Sequence, residues 1–324
     1  MSSNNKYSTI TNNSTSPTNP CRGYEGSVKL NPYYITGFVD GEGSFIVTIN
    51  PHTGYRTGYR VKATFSIGLH KRDLALLQWI QQFLGVGSIA NLSLNGIIYR
   101  VSDLKELNVI ISHFDKYPLL TKKQADFLLF KQVISLMEQG EHLSTEGLNK
   151  ILSLKASMNL GLSDQLDRAF PGIVPVMRPV LNHPSLIKDF NWLAGFTEAE
   201  GCFFVSVRES LNSKLNEAVS LRFVLTQHLR DEEFMRSLIA ILGCGRYIPR
   251  SNKDYGEFVV EKFSDINQKI LPLFEQYQLK GIKRLDYEAF KKVAILMENR
   301  DHLTLNGLNE IKLIKSNMNT KRIL

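Results

Sequence analysis

The sequence predicts an α+β protein in which one unit is built twice and the two copies join through paired helices. Three observations carry that expectation. The segment YYITGFVDGEGSF (33–45) returns as NWLAGFTEAEGCF (191–203), an offset of 158 residues. Each copy holds period-two segments, apolar on one face and polar on the other. Each also holds longer stretches with apolar residues at three- and four-residue spacing, the pattern of amphipathic helices covering a sheet.

The repeat extends well past its first match. FSIGLHKRDLALLQWI recurs as FVLTQHLRDEEFMRSLI, with His70 and His228 in register, and FLGVGSI recurs as ILGCGRYI. Further on, LMEQGEHLSTEGLNKI matches LMENRDHLTLNGLNEI at an offset of 160, so the second copy carries a net insertion of two residues. Between the copies, Pro171, Pro175, Pro179 and Pro184 crowd one short span. Prolines so spaced block helix continuation and ladder pairing, which predicts a linker over the surface. The expected division is a disordered Ser/Thr/Asn tail over 1–28, a first domain over 29–168, a linker over 169–188 and a second domain over 189–324.

The repeated unit opens on a helix. Asn31 before Pro32 is a helix start, a capping side chain followed by a proline at the first position, and Asp189 is the equivalent cap. Gly43 and Gly201 stand where the helix should end, and the left-handed conformation of a C-terminal glycine is expected there. Gly37 and Gly41 share one face, as do Gly195 and Ala199. Two stripes this small at one place in a repeat predict that the helices pair backbone to backbone.

Strands follow. Arg60 to Ile67 alternates cleanly, and Ser220 to Thr226 keeps the same parity. KKQADFLLFKQVISLMEQ and IKRLDYEAFKKVAILMEN are the covering helices. With 324 residues, 43% hydrophobic and 22% charged, the chain can bury two cores. Lys+Arg total 39 against 31 Asp+Glu, and this basic balance favours a polyanionic partner. No apolar run is long enough to span a bilayer, and the N-terminal stretch lacks the core of a secretory signal and the pattern of an import peptide. Cys21, Cys202 and Cys244 have neither even number nor ligand spacing, which argues against a disulfide framework or a zinc site.

Glu42 and Glu200 close the two helices. A carboxylate in a last helical turn faces the negative end of the macrodipole, at a cost of roughly 0.3–1 kcal/mol. Pairing the helices about a pseudo-twofold axis adds repulsion between the two acids. A divalent cation offsets both, because carboxylate and free carbonyl oxygens are the hard ligands it prefers.

ITGFVDGEG and LAGFTEAEG resemble the signature of the LAGLIDADG homing endonucleases, and the downstream repeats resemble the single-chain, two-motif branch encoded in fungal organelle introns. The similarity runs over roughly residues 30 to 320. It implies paired helices at the domain junction and two twisted antiparallel sheets forming a saddle over double-stranded DNA. Carried onto this sequence, Glu42 and Glu200 become metal ligands, with the carbonyls of Gly41 and Ala199 as helpers. Asp40 and Glu198 are left to local hydrogen bonding. The implied activity is Mg²⁺-dependent cleavage of one phosphodiester per strand at a long non-palindromic site, with Ca²⁺ or Mn²⁺ able to substitute in binding. A single chain then acts as a monomer.

Lys123 and Lys283 occupy matching positions as candidate catalytic groups, and Arg100 pairs with Lys262 if a shift is placed before Ser-Asp. Gln227 is a candidate for orienting water, although its counterpart is Leu69. Strand parity puts Ile46, Thr48, Asn50, Arg60, Lys62, Thr64, Ser66 and Arg100 on the DNA face of the first half. Ser206, Arg208, Ser220, Arg222, Thr226 and Lys262 follow in the second, with Arg246 and Arg250 on its next strand. An RNA-binding intron maturase is the alternative function on this scaffold, and a non-catalytic DNA-binding regulator is a third. The resemblance also implies a mitochondrial location.

Overall fold

A computed structural model describes residues 29–180 and 187–319. The tail over 1–28, with Cys21, and the linker residue Pro184 lie outside the described residues. In the first half, helix α1 (Pro32–Glu42) runs into strand β1 (Gly43–Pro51), then β2 (Tyr59–His70), α2 (Leu74–Leu84), β3 (Ser88–Asn91) and β4 (Gly96–Val101). Helices α3 (Leu104–Lys116), α4 (Lys123–Glu138), α5 (Thr145–Ala156) and the short α6 (Asp164–Ala169) complete it. The second half repeats the order as α7 (Asn191–Glu200), β5 (Gly201–Glu209), β6 (Glu217–His228), α8 (Glu232–Leu242), β7 (Arg246–Pro249) and β8 (Tyr255–Val260). It continues with α9 (Phe263–Asp265), a π-helical turn over Ile266–Ile270, α10 (Leu271–Gln276), α11 (Lys283–Glu298) and α12 (Leu305–Ser316). The class is α+β, as the sequence predicts.

Each half holds one four-stranded antiparallel sheet, in the orders β1-β2-β4-β3 and β5-β6-β8-β7. Phe45, Phe65, Phe114, Phe127 and Phe130 cluster behind the first sheet. Phe203, Phe223, Phe274, Tyr287 and Phe290 make the same cluster behind the second. The inward parity of each strand and the apolar stripe of each covering helix therefore meet at the same ring positions in both halves.

The register locates the two inserted residues. Ser88 pairs with Arg100 in the first sheet, and Arg246 pairs with Val259 in the second. The β7–β8 turn thus absorbs one extra residue. The π-helical turn absorbs the other, which is the usual origin of such a bulge inside a helix. The expected match of Arg100 with Lys262 is therefore corrected: the ladder equivalent of Arg100 is Val259. Lys262 lies past the end of β8 and precedes α9.

Gly43 and Gly201 also differ from expectation. Both are extended, with φ of −75° and −83°, because each helix passes directly into a strand without a left-handed turn. The glycine is needed for space instead: a Cβ on Gly43 would meet Val39 Cγ1 at 2.4 Å. The start of each helix follows the sequence. Tyr33 N–H donates to Asn31 Oδ1 and Asn191 N–H donates to Asp189 Oδ1, each at 2.8 Å, and Asn31 Nδ2 donates to Asp189 Oδ2 at 3.2 Å.

Over 170–180, after α6, the chain runs without helix or strand and is tied to the first half. Arg178 makes a two-pronged ion pair with buried Asp126, both contacts at 2.9 Å. Among the described residues, no helix is long and apolar enough to cross a membrane.

Candidate active site and nucleic-acid face

Helices α1 and α7 pack against each other more extensively than any other pair of helices. A Cβ on Gly37 would meet the Trp192 carbonyl oxygen at 1.9 Å, and one on Gly195 would meet that of Tyr34 at the same distance. Gly41 sits against Ala199 and Glu200. The small stripes thus bring the backbones into contact and set the two helix ends side by side.

The acids two residues earlier lock this arrangement. Asp40, 1% exposed, accepts from Trp192 Nε1 at 2.8 Å, from the N–H groups of Leu120 and Thr121, and from Thr121 Oγ1 at 2.6 Å. Glu198 accepts from Tyr34 Oη and from the N–H groups of Lys280, Gly281 and Lys283. Each acid therefore crosses the helix pair and holds the loop before α4 or α11. Burial raises Asp40 to about 6 against the pull of these donors.

That anchoring delivers the lysines. Lys123 Nζ donates to the carbonyls of Val39 and Gly41 at 2.9 and 2.8 Å, and Lys283 Nζ donates to that of Ala199 at 3.1 Å. Two ammonium groups thus stand at the negative ends of α1 and α7, so side chains of the protein itself offset part of the helix dipoles. Compensation is incomplete. Burial raises the carboxyls of Glu42 and Glu200, and Glu42 pushes Glu200 up further, while both lysines pull back. Burial likewise lowers Lys123 to about 8, against the charges of Asp40, Glu200 and Glu42, and lowers Lys283.

Each centre is composite. Glu42 lines a cavity of about 130 Å³ with Leu69, Arg72, Asp73, Ala199 and Lys283, combining both halves. On the other side Glu200 lies against Gly41, whose carbonyl holds Lys123. Gln227, the penultimate residue of β6, has its side chain turned back, Oε1 accepting the His228 N–H at 2.8 Å. Asp73 and Asp231, which the sequence reading passed over, also stand here. Their charges raise Glu42 and Glu200 respectively. Their signal was the Asp shared by GLHKRD and TQHLRD at the 158-residue offset.

The face of each sheet turned away from its core is largely as parity predicts. Ile46, Thr48, Asn50, Arg60, Lys62 and Arg100 are exposed, and Ser206, Arg208, Ser220, Arg222 and Thr226 share the matching face of the second sheet. Thr64 and Ser66 are corrections. They keep the parity but are buried: Ser66 lies between Ser44 and Arg100 of the two flanking strands, and Thr64 pairs with Ile46 on one side and has Ser102 Oγ 3.2 Å from its Oγ1. Arg250 lies in the turn after Pro249 instead of on the strand, paired with Glu257.

The two faces differ in charge. The first pair of hairpins (43–70 and 88–101) carries four basic residues and no acid, whereas the second (201–228 and 246–260) carries six basic residues and four acids. Glu261, just past β8, pairs with both Arg246 and Arg222, and Arg222 also lies over the Phe204 ring at 5.1 Å. Among the described residues Arg60, Lys62 and Arg100 have no carboxylate partner.

Comparisons with known proteins agree with this architecture. The family model described as LAGLIDADG endonuclease matches residues 35–134 and 193–294. The chain is 40% identical to probable intron-encoded endonuclease 3 of Neurospora crassa over 293 residues, and 40% identical to probable intron-encoded endonuclease 2 of the same organism over 301 residues. These matches cover 90% and 89% of this chain but 55% and 65% of the relatives, so the chain spans only part of their length. The solved structure of the I-SmaMI LAGLIDADG homing endonuclease bound to cleaved DNA is 44% identical, with a TM-score of 0.89, over 91% of this chain and 99% of that one. The same protein has been solved bound to uncleaved DNA target in the presence of calcium ions, with a TM-score of 0.88. The chain belongs to the LAGLIDADG endonuclease family.

Proposed function

We propose that the protein is a site-specific double-strand DNA endonuclease, acting as a monomer, with one composite cleavage centre per strand. The observation that carries this reading is the juxtaposition of Glu42 and Glu200 at the ends of the paired helices, each beside a lysine supplied by a loop that Asp40 or Glu198 holds.

The donor set fits a hard divalent cation, with Mg²⁺ as the working ion and Ca²⁺ or Mn²⁺ able to take its place in binding. Its oxygens are the carboxylates of Glu42 and Glu200 and the second lone pairs of the Gly41 and Ala199 carbonyls, which already accept from Lys123 and Lys283. Among the described residues no cluster of three or more His, Cys, Asp or Glu could hold an ion alone. The remaining ligands therefore come from DNA phosphate and water. When bound, the cation acidifies water and stabilises charge on the phosphate.

The chain's own residues supply position and charge. Lys123 and Lys283 place ammonium groups at the helix ends, where they can face a phosphate oxygen and screen the paired acids. Lys123, lowered to about 8, can also pass a proton near neutral pH. Gln227 is the candidate for orienting a water near Glu200, with its Oε1 held on the His228 N–H. The exposed sheet faces read the target, and because the residues on the two faces differ, the site is non-palindromic. The domain limits at 29–168 and 189–324 belong to this proposal, as does mitochondrial action, which intron-encoded relatives support.

Incubation with the DNA sequence into which this reading frame is inserted, in Mg²⁺, should give a double-strand cut that EDTA abolishes. Intact DNA in Mg²⁺ would refute the proposal.

A further inference from the structure

Asp73 and Asp231 have no role in the chemistry above. Each precedes a helix, α2 or α8, where an ordinary N-terminal cap belongs, yet neither makes a side-chain hydrogen bond to its own helix. Asp231 is 2% exposed, and its Oδ1 accepts the backbone N–H of Lys122, in the other half of the molecule, at 2.6 Å. Asp73 and Ile282 line the same small cavity, in the same cross-half sense, and the Ile282 N–H pulls the Asp73 carboxyl down. Lys122 and Ile282 are the residues immediately before Lys123 and Lys283, and neither provides a side-chain cap for the helix it opens.

Two features make an ordinary structural cap a poor account of Asp231. Its second oxygen makes no hydrogen bond to α8 and is ion-paired with Arg230 Nε at 3.5 Å. Its charge also adds to that of Glu200. An acid that only capped α8 would bond an N–H of that helix, whereas this one bonds the Lys122 N–H of the other half.

We infer that Asp231 and Asp73 are positioning residues, each fixing from one half the start of the helix that carries the other half's active-site lysine. The inference rests on the endonuclease reading. In the Glu200 centre, Asp231 holds Lys122 so that Lys123 Nζ stays on the Gly41 carbonyl. In the Glu42 centre, Asp73 holds Ile282 so that Lys283 Nζ stays on the Ala199 carbonyl. Each centre is completed by both halves, so the loss of one aspartate slows the cut of one strand.

The test uses the full chain, supercoiled plasmid carrying the insertion-site sequence, Mg²⁺, and end-labelled strands to tell which is cut. Wild type should give linear product. Asp231→Ala should accumulate nicked circles, with one strand slowed on the order of tenfold or more. Asp73→Ala should accumulate nicks in the opposite strand, and Asp231→Asn, whose Oδ1 still accepts the N–H, should restore linear product. Equal slowing of both strands by the alanine variants, as general destabilisation would give, overturns the inference. So does an Asp231→Asn variant as impaired as Asp231→Ala. Should Asp231→Ala fail to fold, Asp73→Ala decides the strand question alone. A wild-type protein that leaves the plasmid intact refutes the endonuclease reading itself, an outcome distinct from normal cutting with no strand bias in the variants.

Discussion

Gly37 lies so close to Trp192 that a methyl group on it would stand 1.9 Å from the Trp192 carbonyl oxygen, and Gly195 stands in the same relation to Tyr34. The obstacle is backbone of the partner helix, which cannot rotate away as a side chain could. Gly37→Ala should therefore force α1 and α7 apart and cost roughly 1–3 kcal/mol or more, although alanine favours helix over glycine. Chemical denaturation measures the loss. A variant as stable as wild type would show that the helices do not meet backbone to backbone.

The unequal charge of the two sheet faces predicts unequal salt dependence. Among the described residues Arg60, Lys62 and Arg100 have no carboxylate partners, so each can displace counterions from a phosphate. Replacing one with alanine should lower the slope of log K against log salt by about 1. Glu261→Gln should raise the slope, since it releases Arg246 and Arg222, and should weaken discrimination against mismatched sites. Titrations of labelled duplex at several salt concentrations distinguish these. Unchanged slopes in both directions would contradict the electrostatic division.

His113 predicts a pH dependence away from the site. Burial lowers it from 6.5 to about 4, and its Nε2 lies 3.2 Å from Thr36 Oγ1. Between these values the unfolded chain binds more protons at this residue than the folded chain, so stability from His113 is full above pH 6.5 and is lost as pH falls toward 4. The loss reaches about 3 kcal/mol at most. Asp40 acts oppositely: raised to about 6, its folded form binds more protons between 3.8 and 6 and gains stability on acidification. The diagnostic quantity is therefore the difference between wild type and His113→Leu, which retains the Thr36 bond to the Tyr117 carbonyl. Denaturation at pH 7 and 4.5 should show the variant losing less stability than wild type. Parallel losses would refute a role for His113.

Much of this architecture was legible because the sequence states it twice. The 158-residue offset marks the paired helices, and strand parity alone puts Arg60, Lys62 and Arg222 on the outward faces of their sheets. Lys262 was misplaced because sequence matching cannot distinguish a residue added to a strand from one absorbed by a π-helical turn. Gly43 was misread because a glycine required for space and one required for a positive φ are the same letter. Thr64 and Ser66 keep the predicted parity, but parity does not report how deeply a central strand is covered. Asp73 and Asp231 escaped notice because an acid at a helix start ordinarily serves its own helix, and only the packed halves show that these serve the other.

The central claim is that Glu42 and Glu200 hold the divalent cation that cleavage requires. The direct measurement compares wild type, Glu42→Gln, Glu200→Gln and the double variant on insertion-site DNA, with binding followed in Ca²⁺ and cutting in Mg²⁺. Retained binding with cutting abolished in the double variant is the predicted result, and undiminished double-strand cutting by that variant would contradict the account.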